Sequence, residues 1–170
     1  MEYGAGESTE PRDKRLHVQS RAEARDIINQ LFAQARRQIV IFAPALDGYF
    51  FNTSHVGQTL ASFAAAHRNN MARVLVEHTS QAVRDNGRLV ELCRRFTNFI
   101  KMRQVDEDDF GLREMFVIID NSAYLHQRDV ERVDYVAALD APRDARLLAV
   151  KYTRLWERSH SIASILTLGL

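Results

Sequence analysis

Residues 113–129, a predicted β-hairpin, read Arg-Glu-Met-Phe-Val-Ile-Ile-Asp-Asn-Ser-Ala-Tyr-Leu-His-Gln-Arg-Asp. The apolar run that ends at Asp120 predicts a strand at 114–119, and the polar pair Asn121-Ser122 separates it from a second strand around 124–126. Short polar turns join antiparallel neighbours, and a third strand of this kind is predicted at 133–139. The second half of the chain therefore contributes antiparallel strands.

Before the hairpin, helices and strands alternate. Ser20 and Glu23 have the spacing of a capping box, so a helix begins there and continues to Arg36-Arg37. The apolar run 39–43, stopped by Pro44, is typical of a strand covered on both faces and predicts the centre of the sheet. The remaining predicted elements are a helix at 55–67, a strand at 72–77, a helix at 81–96, a strand at 99–103 and a closing helix at 142–158. This order predicts an α/β fold with α/β/α layers around a mixed sheet.

Length and composition indicate one domain of 170 residues with a formal charge of +1, which excludes a general attraction to nucleic acid or anionic membranes. We expect a flexible tail at 1–15, the domain at 16–158 and an apolar C-terminal segment at 159–170. Cys93 stands alone, so a disulfide framework is excluded and a small core residue in a reducing compartment is predicted. No apolar run approaches the roughly 20 residues of a membrane span, and the N-terminus has no signal-peptide core, so the default prediction is a cytoplasmic protein.

From residue 16 to residue 158 the order of elements, with its hairpin and its closing helix containing Leu155-Trp156, resembles the phospholipase D superfamily. In catalytic members the first hairpin strand reads His-x-Lys-x-x-x-x-Asp, where the His attacks phosphorus and the Lys binds the phosphate oxygens. Placing the motif Asp on Asp120 puts the His position at Arg113 and the Lys position at Met115. The Gly-Ser-x-Asn that usually follows falls on 127–130. The resemblance thus implies the fold without the catalytic side chains, and the chain is also similar to a bacterial domain of unknown function that often follows acetyltransferase domains.

A substitute site is conceivable on the hairpin. A two-residue turn at 121–122 places His126 opposite Val117 and Arg128 opposite Met115, on the same face as Arg113. These three side chains are a candidate anion site, with His126 and Asp120 as candidate catalytic residues. The alternative is that Arg113 pairs with a carboxylate such as Glu114 or Asp129, that His126 is a partly exposed strand residue, and that Asp120 forms the turn.

A local excess of positive charge marks residues 81–104 and is the best candidate for a nucleic-acid patch. Its basic residues are Arg84, Arg88, Arg94, Arg95, Lys101 and Arg103. No aromatic residues interleave for base stacking, so nucleic acid is an unfavoured partner. The histidines lack metal-ligand spacing, the acidic run 106–109 lacks the pattern of a calcium loop, and we expect no metal and no cofactor.

Two apolar segments are candidates for contacts. The loop 45–55 carries Tyr49-Phe50-Phe51 at the carboxyl end of the buried strand, where these aromatics either line a pocket or fold back over the sheet. The C-terminal segment 159–170 packs either on its own domain or on a second copy. Superfamily members with one motif per chain commonly pair about a twofold axis, so the resemblance implies a homodimer.

The leading functional hypothesis is a non-catalytic phospholipase D-like domain that works by binding or protein assembly, with an acetyltransferase among the conceivable partners. The alternatives are a divergent phosphodiesterase or phosphotransferase that uses His126, and a nucleic-acid adaptor that uses the basic stretch at 84–103.

Overall fold

Eight strands form one mixed β-sheet in the computed structural model, which describes residues 14–166. They are β1 (Leu16–Val18), β2 (Gln38–Phe42), β3 (Met71–Val76), β4 (Ile100–Gln104), β5 (Met115–Ile119), β6 (Ala123–Gln127), β7 (Tyr135–Ala138) and β8 (His160–Ser161). Their order across the sheet is β1-β7-β6-β5-β2-β3-β4-β8, in which β2, β3 and β4 are parallel and β5 pairs antiparallel with β2. The predicted α/β fold is confirmed, and β2 lies at the centre as expected. Most of the predicted tail, residues 1–13, lies outside the described residues.

The helices divide unequally between the two faces of this sheet. They are α1 (Arg21–Gln34), α2 (Gly48–Phe51), α3 (Ser54–Ala66), α4 (Thr79–Asp85), α5 (Gly87–Arg95), α6 (Pro142–Arg158) and α7 (Ala163–Leu166). Strand residues such as Ile41, Val74 and Val117 share one core with α1–α5 and α7, on what we call the helix-rich face. Their neighbours Phe42 and Phe116 share a second core with α6, on the α6 face. Alternation along each strand produces this division.

Two predicted elements differ from the structure around Asn86. The predicted helix 81–96 is two helices, α4 and α5, because Asn86 turns its side chain inward and donates to the carbonyl oxygens of Leu46 at 2.7 Å and Ala82 at 2.9 Å. The predicted loop 45–55 contains the short helix α2, which Asp47 caps by accepting a hydrogen bond from Tyr49 N at 2.9 Å. Both differences arise from side chains that bind backbone groups locally.

The predicted hairpin register is wrong by one residue. Ile119 pairs with Ala123, so the turn contains three residues, and His126 pairs with Phe116 and not with Val117. The cause is Asp120, which leaves the strand with a left-handed φ of 51°. Its carboxylate accepts three backbone hydrogen bonds, from Arg36 N at 2.9 Å and from Arg37 N and Gln38 N at 2.8 Å each. The same bonds end α1 at Gln34, before the predicted Arg36-Arg37.

The C-terminal segment packs on its own domain as far as it is described. Ile162 and Ile165 are buried in the core of the helix-rich face. The Arg94 guanidinium donates to the carbonyl oxygens of Ser164 at 2.9 Å and Ile165 at 3.4 Å. Of the two alternatives for this segment, packing within the domain is the one observed up to Leu166, and residues 167–170 lie outside the described range.

The Asp120 carboxylate should be a major source of stability. Asp120→Asn keeps the size and the tolerance of positive φ but replaces one acceptor oxygen with a donor, which leaves a backbone N–H facing another donor. We expect a loss of roughly 1.5–3 kcal/mol in the free energy of unfolding, measured by urea denaturation. Asp134→Asn is the matched control, since Asp134 is exposed and its side chain makes no hydrogen bond within residues 14–166. If both variants unfold at the same urea concentration, Asp120 does not have this role.

Candidate functional site

A pocket of about 370 Å³ opens on the helix-rich face, at the end of the sheet where β2 finishes and β5 begins. Ligands of α/β proteins commonly bind at the carboxyl ends of parallel strands. Its wall is mainly apolar and comprises Ala43, Pro44, Ala45, Leu46, Phe50, Phe51, Met115, Val130, Val133 and Tyr135, with Arg21, Asp47 and Gln127 as polar members. The wall therefore holds no histidine, lysine, serine or cysteine.

The backbone at the rim of this pocket is held in a demanding conformation. Leu46 has a positive φ of 52°, which a side chain of its size seldom adopts. It is fully buried, and its carbonyl oxygen receives the Asn86 amide. Two residues later, a Cβ on Gly48 would lie 2.7 Å from the carbonyl oxygen of Asp85. Strained backbone that is held in place by its surroundings is frequent at binding sites, and here it gives the rim of the pocket a fixed shape.

Arg21, Asp47 and Gln127, three polar residues of the pocket, bind each other or the backbone. Arg21 forms an ion pair with Asp47, and its guanidinium also lies 4.5 Å from the centre of the Tyr49 ring. Gln127 donates to the carbonyl oxygen of Arg132 at 2.8 Å. Burial raises the pKa of Tyr135. Phe50 and Phe51 are buried in the core, so the interpretation that these aromatics fold back over the sheet is confirmed, although their edges also line the pocket.

Met115 begins β5 and lines the pocket, and Arg113 lies two residues before it. The Arg113 guanidinium forms ion pairs with Asp129 at 3.5 Å and with Glu131 at 2.5 Å. Met115 is buried and lines the pocket beside Gln127, its partner in the β5–β6 ladder. The interpretation that Arg113 pairs with local carboxylates is therefore confirmed for Asp129.

His126 lies on the opposite face of the sheet, so the predicted convergence of His126 and Arg128 with Arg113 is wrong. The cause is the one-residue register shift, since a shift of one moves every side chain to the other face. His126 Nε2 lies 2.7 Å from a Glu114 carboxylate oxygen, and the other oxygen of Glu114 pairs with Lys151 of α6. Burial, with a smaller effect of the Arg128 guanidinium, lowers the pKa of His126. A neutral His126 that donates to Glu114 fits this environment.

The basic stretch at 84–103 does not form one continuous surface. Lys101 and Arg103 alternate with the buried Ile100 and Met102, so they point to the α6 face, whereas α4 and α5 lie on the helix-rich face. The other members contact their own chain. Arg84 pairs with Asp85, Arg88 bonds to Asn52 and Ser54, Arg94 binds the C-terminal segment, and Arg95 lies over Phe96.

The acidic run and the cysteine have structural partners. Arg158, at the end of α6, lies within 3.6 Å of Asp106 and Asp108 and 3.2 Å from Asp109, and His160 lies 2.7 Å from Asp106. Hydrogen bonding from His160 lowers the pKa of Asp106. Cys93 is a buried core residue as predicted, and burial raises the pKa of its thiol to about 12. Among residues 14–166, no group of three or more acidic, histidine or cysteine side chains has the arrangement of a metal site.

Solved structures with the same architecture define the class of protein. Nuc from Salmonella typhimurium, a phospholipase D family member, matches with a TM-score of 0.62 at 12% identity over 88% of this chain and 96% of that one. NucT from Helicobacter pylori matches with a TM-score of 0.59 at 9% identity over 88% and 99%. The archaeal chromatin protein TrmBL2, whose structure shows a novel mode of DNA binding, matches with a TM-score of 0.63 at 13% identity over 92% and 56%. The chain thus has the α/β fold that phospholipase D family members share, and this likeness concerns the fold alone.

The family of the chain is identified from its sequence. A profile described as Domain of unknown function (DUF7931) matches residues 20–168. The chain belongs to this family, in agreement with the predicted similarity to a domain of unknown function. No curated protein matches the sequence. Of the helices described, none combines the length and apolarity needed to cross a bilayer.

Gly48 provides a test of the rim geometry. Gly48→Ala should lower the free energy of unfolding by roughly 1–3 kcal/mol, because its new Cβ must displace the backbone of Asp85. Gly87→Ala is the control, since a Cβ at Gly87 meets nothing within 4 Å, and it should be neutral or slightly stabilising. Urea denaturation of both variants decides the matter, and equal stabilities would contradict the close approach at Gly48.

The lowered pKa of His126 predicts a component of pH dependence. Because the folded pKa lies below the ordinary value of 6.5, the unfolded chain takes up the proton first, and stability is lost as the pH falls below 6.5 towards the folded pKa. His126→Gln removes the titrating group and keeps a donor for Glu114. The wild type should therefore lose more unfolding free energy than this variant between about pH 7.5 and about pH 5. His55→Gln, at an exposed histidine, is the matched control for the substitution itself, and identical profiles for the wild type and His126→Gln would disprove the assignment.

Proposed function

We propose that this chain is a non-catalytic phospholipase D-like domain that acts by binding a ligand or assembling with a partner through the pocket at the end of β2 and the start of β5. The observation that supports the proposal best is the chemistry of that pocket. Where the superfamily resemblance places a nucleophile and a phosphate-binding cation, the chain has Arg113, paired with two carboxylates, and Met115, buried in an apolar wall. A mainly apolar pocket with a few fixed polar groups suits a binding role.

Phosphodiester cleavage through a covalent intermediate requires an aligned nucleophile and a group that stabilises charge on the transferring phosphate. Asp47 is the carboxylate nearest to such a role, yet it caps α2 and pairs with Arg21. Arg21 is in turn committed to Asp47 and to the Tyr49 ring. Among the described residues that line the pocket, the carboxylate of Asp47 and the cation of Arg21 are therefore already paired with each other.

A divergent phosphodiesterase that uses His126 has less support. His126 lies beneath α6, with 17% of its side chain exposed, and it is hydrogen-bonded to Glu114. Glu114 is shared with Lys151, so the three side chains satisfy one another. An internally neutralised cluster of this kind is typical of a structural contact between a helix and a sheet.

Assembly as a homodimer is part of the proposal. Val130 and Val133 line the pocket and are 39% and 47% exposed, which leaves apolar surface at its mouth. Apolar surface beside a pocket favours association with a protein. Sedimentation velocity over a range of concentrations tests this part, with Val133→Asp expected to weaken the association; a monomer at every concentration would remove the homodimer from the proposal.

Turnover measurements test the absence of catalysis. Three substrates are tested: bis(p-nitrophenyl) phosphate, phosphatidylcholine vesicles and single-stranded DNA. Neither the wild type nor His126→Ala should cleave any of them faster than buffer alone. His55→Ala serves as the matched control for removal of a histidine. Cleavage by the wild type with a specific activity that stays constant over two successive chromatography columns would contradict the proposal. If His126→Ala lost this cleavage and His55→Ala kept it, the divergent enzyme would be favoured.

A further inference from the structure

A basic groove of about 620 Å³ lies on the α6 face, at the opposite end of the sheet from the pocket described above. It runs between α6 and the first residues of β2 and β3, and the β5–β6 turn closes one side. The basic groove is defined by Arg73, Arg146, Arg154, Tyr152, Gln38 and Asn121. It exists because α6 packs mainly over β5 and β6, so the start of β3 is accessible on this face at Arg73, whereas Leu75 farther along the strand is buried in the core shared with α6.

Three guanidinium groups face this groove. Arg73 projects from the middle of β3, and Arg146 and Arg154 project from α6. None of the three forms an ion pair or a hydrogen bond with any residue between 14 and 166, and Glu157 is the single carboxylate in the lining. Some arginines elsewhere in the structure, such as Arg113 and Arg158, are paired with carboxylates. The basic groove therefore holds uncompensated charge.

The floor of the basic groove is apolar and contains one unsatisfied polar atom. The apolar side chains beside the arginines are Val40, Ala149 and Val150. Tyr152 is 2% exposed, and its hydroxyl has no hydrogen-bond partner among residues 14–166. Buried hydroxyl groups are normally paired, and each exception calls for an explanation. A ligand that reaches Tyr152 would supply the missing partner.

We propose that the basic groove binds a phosphate-bearing ligand with a flat or apolar body, namely a nucleotide, either free or within a strand of nucleic acid. The arginines match the phosphate oxygens, because each guanidinium offers a planar fork of donors. The apolar floor accommodates the base. Beyond the groove, Lys101 lies beside Arg73 and Arg103 lies beside Leu75 on the same face, so the positive surface continues towards β4.

This site is independent of the proposed function. The pocket at the start of β5 and the basic groove are at opposite ends and on opposite faces of the sheet, and they share no lining residue. Turnover tests the first proposal and equilibrium binding tests the second. Either can fail while the other stands.

Trp156 makes the binding test direct. It is the single tryptophan of the chain, and the guanidinium groups of Arg73 and Arg103 lie 5.3 and 5.4 Å from its ring. Tryptophan fluorescence is recorded while the protein is titrated, at low salt, with inorganic phosphate, with ADP and with hexathymidylate. We expect ADP or the oligonucleotide to bind at least tenfold more tightly than inorganic phosphate.

The variants locate the site. Arg146→Ala/Arg154→Ala should weaken binding at least tenfold, and Thr153→Glu, which places a carboxylate in the basic groove, should do the same if the double variant folds poorly. The control Arg84→Ala/Arg132→Ala removes the same charge from side chains that are 72% and 80% exposed elsewhere, and should change the affinity less than twofold. Circular dichroism verifies that each variant is folded.

Each outcome decides the proposal. Preference for ADP that the groove variants abolish establishes a site for a free nucleotide. Preference for hexathymidylate with the same sensitivity establishes binding of a nucleic-acid strand. The proposal is overturned if neither ADP nor hexathymidylate binds, or if both bind no more tightly than inorganic phosphate. It is also overturned if the control variant and the groove variants lose affinity equally.

Discussion

The hydrogen bonds between the Asp120 carboxylate and the backbone amides of Arg36, Arg37 and Gln38 determine most of what is distinctive in this structure. They connect the β5–β6 turn to the segment that leads into β2, so three central strands are aligned by one side chain. A carboxylate that accepts several N–H groups is strongly stabilised, because charge-assisted hydrogen bonds are stronger than neutral ones. Asp and Asn also tolerate the left-handed conformation better than most residues, which suits Asp120 and Asn121 at φ values of 51° and 52°.

The register that follows from this turn separates two groups of chemistry. Met115 and Gln127 share the helix-rich face and line an apolar pocket, whereas Glu114 and His126 share the α6 face, where Glu114 pairs with both His126 and Lys151. Had the turn contained two residues, His126 would face the pocket beside Met115. Because strand side chains alternate with a period of two, a single residue in the turn decides whether a histidine lines the pocket or is hydrogen-bonded beneath a helix.

The elements with strong local signals were predictable from the sequence. The Ser20 cap and the buried strand β2 occur where the capping spacing and the apolar run predict them. The differences arise where a side chain acts on backbone distant in sequence. Asn86 interrupts a helical pattern because Leu46, forty residues earlier, accepts its amide, and Asp120 sets a register by binding residues more than eighty positions away. The site residues on β6 and α6 depend on that register. One signal for the basic groove was nevertheless present, since Arg73 interrupts the apolar β3 and thereby indicates an accessible position on one face of that strand.

The uncovered part of the sheet follows from simple dimensions. A helix with its side chains is about 10–12 Å across, and strands are about 4.8 Å apart, so one helix covers roughly two strands. With α6 seated mainly over β5 and β6, its face of the sheet remains accessible at Arg73 of β3 and Lys101 of β4, whereas Leu75 is buried in the core shared with α6. Solvent-exposed positions there require polar residues, which alone would account for Lys101. Solubility does not account for three arginines that line a partly apolar groove with one carboxylate among them, nor for a buried Tyr152 hydroxyl that has no partner in the described part of the chain. Uncompensated like charges repel one another, so their concentration in a concave site lowers the stability of the free protein and is offset when an anion binds.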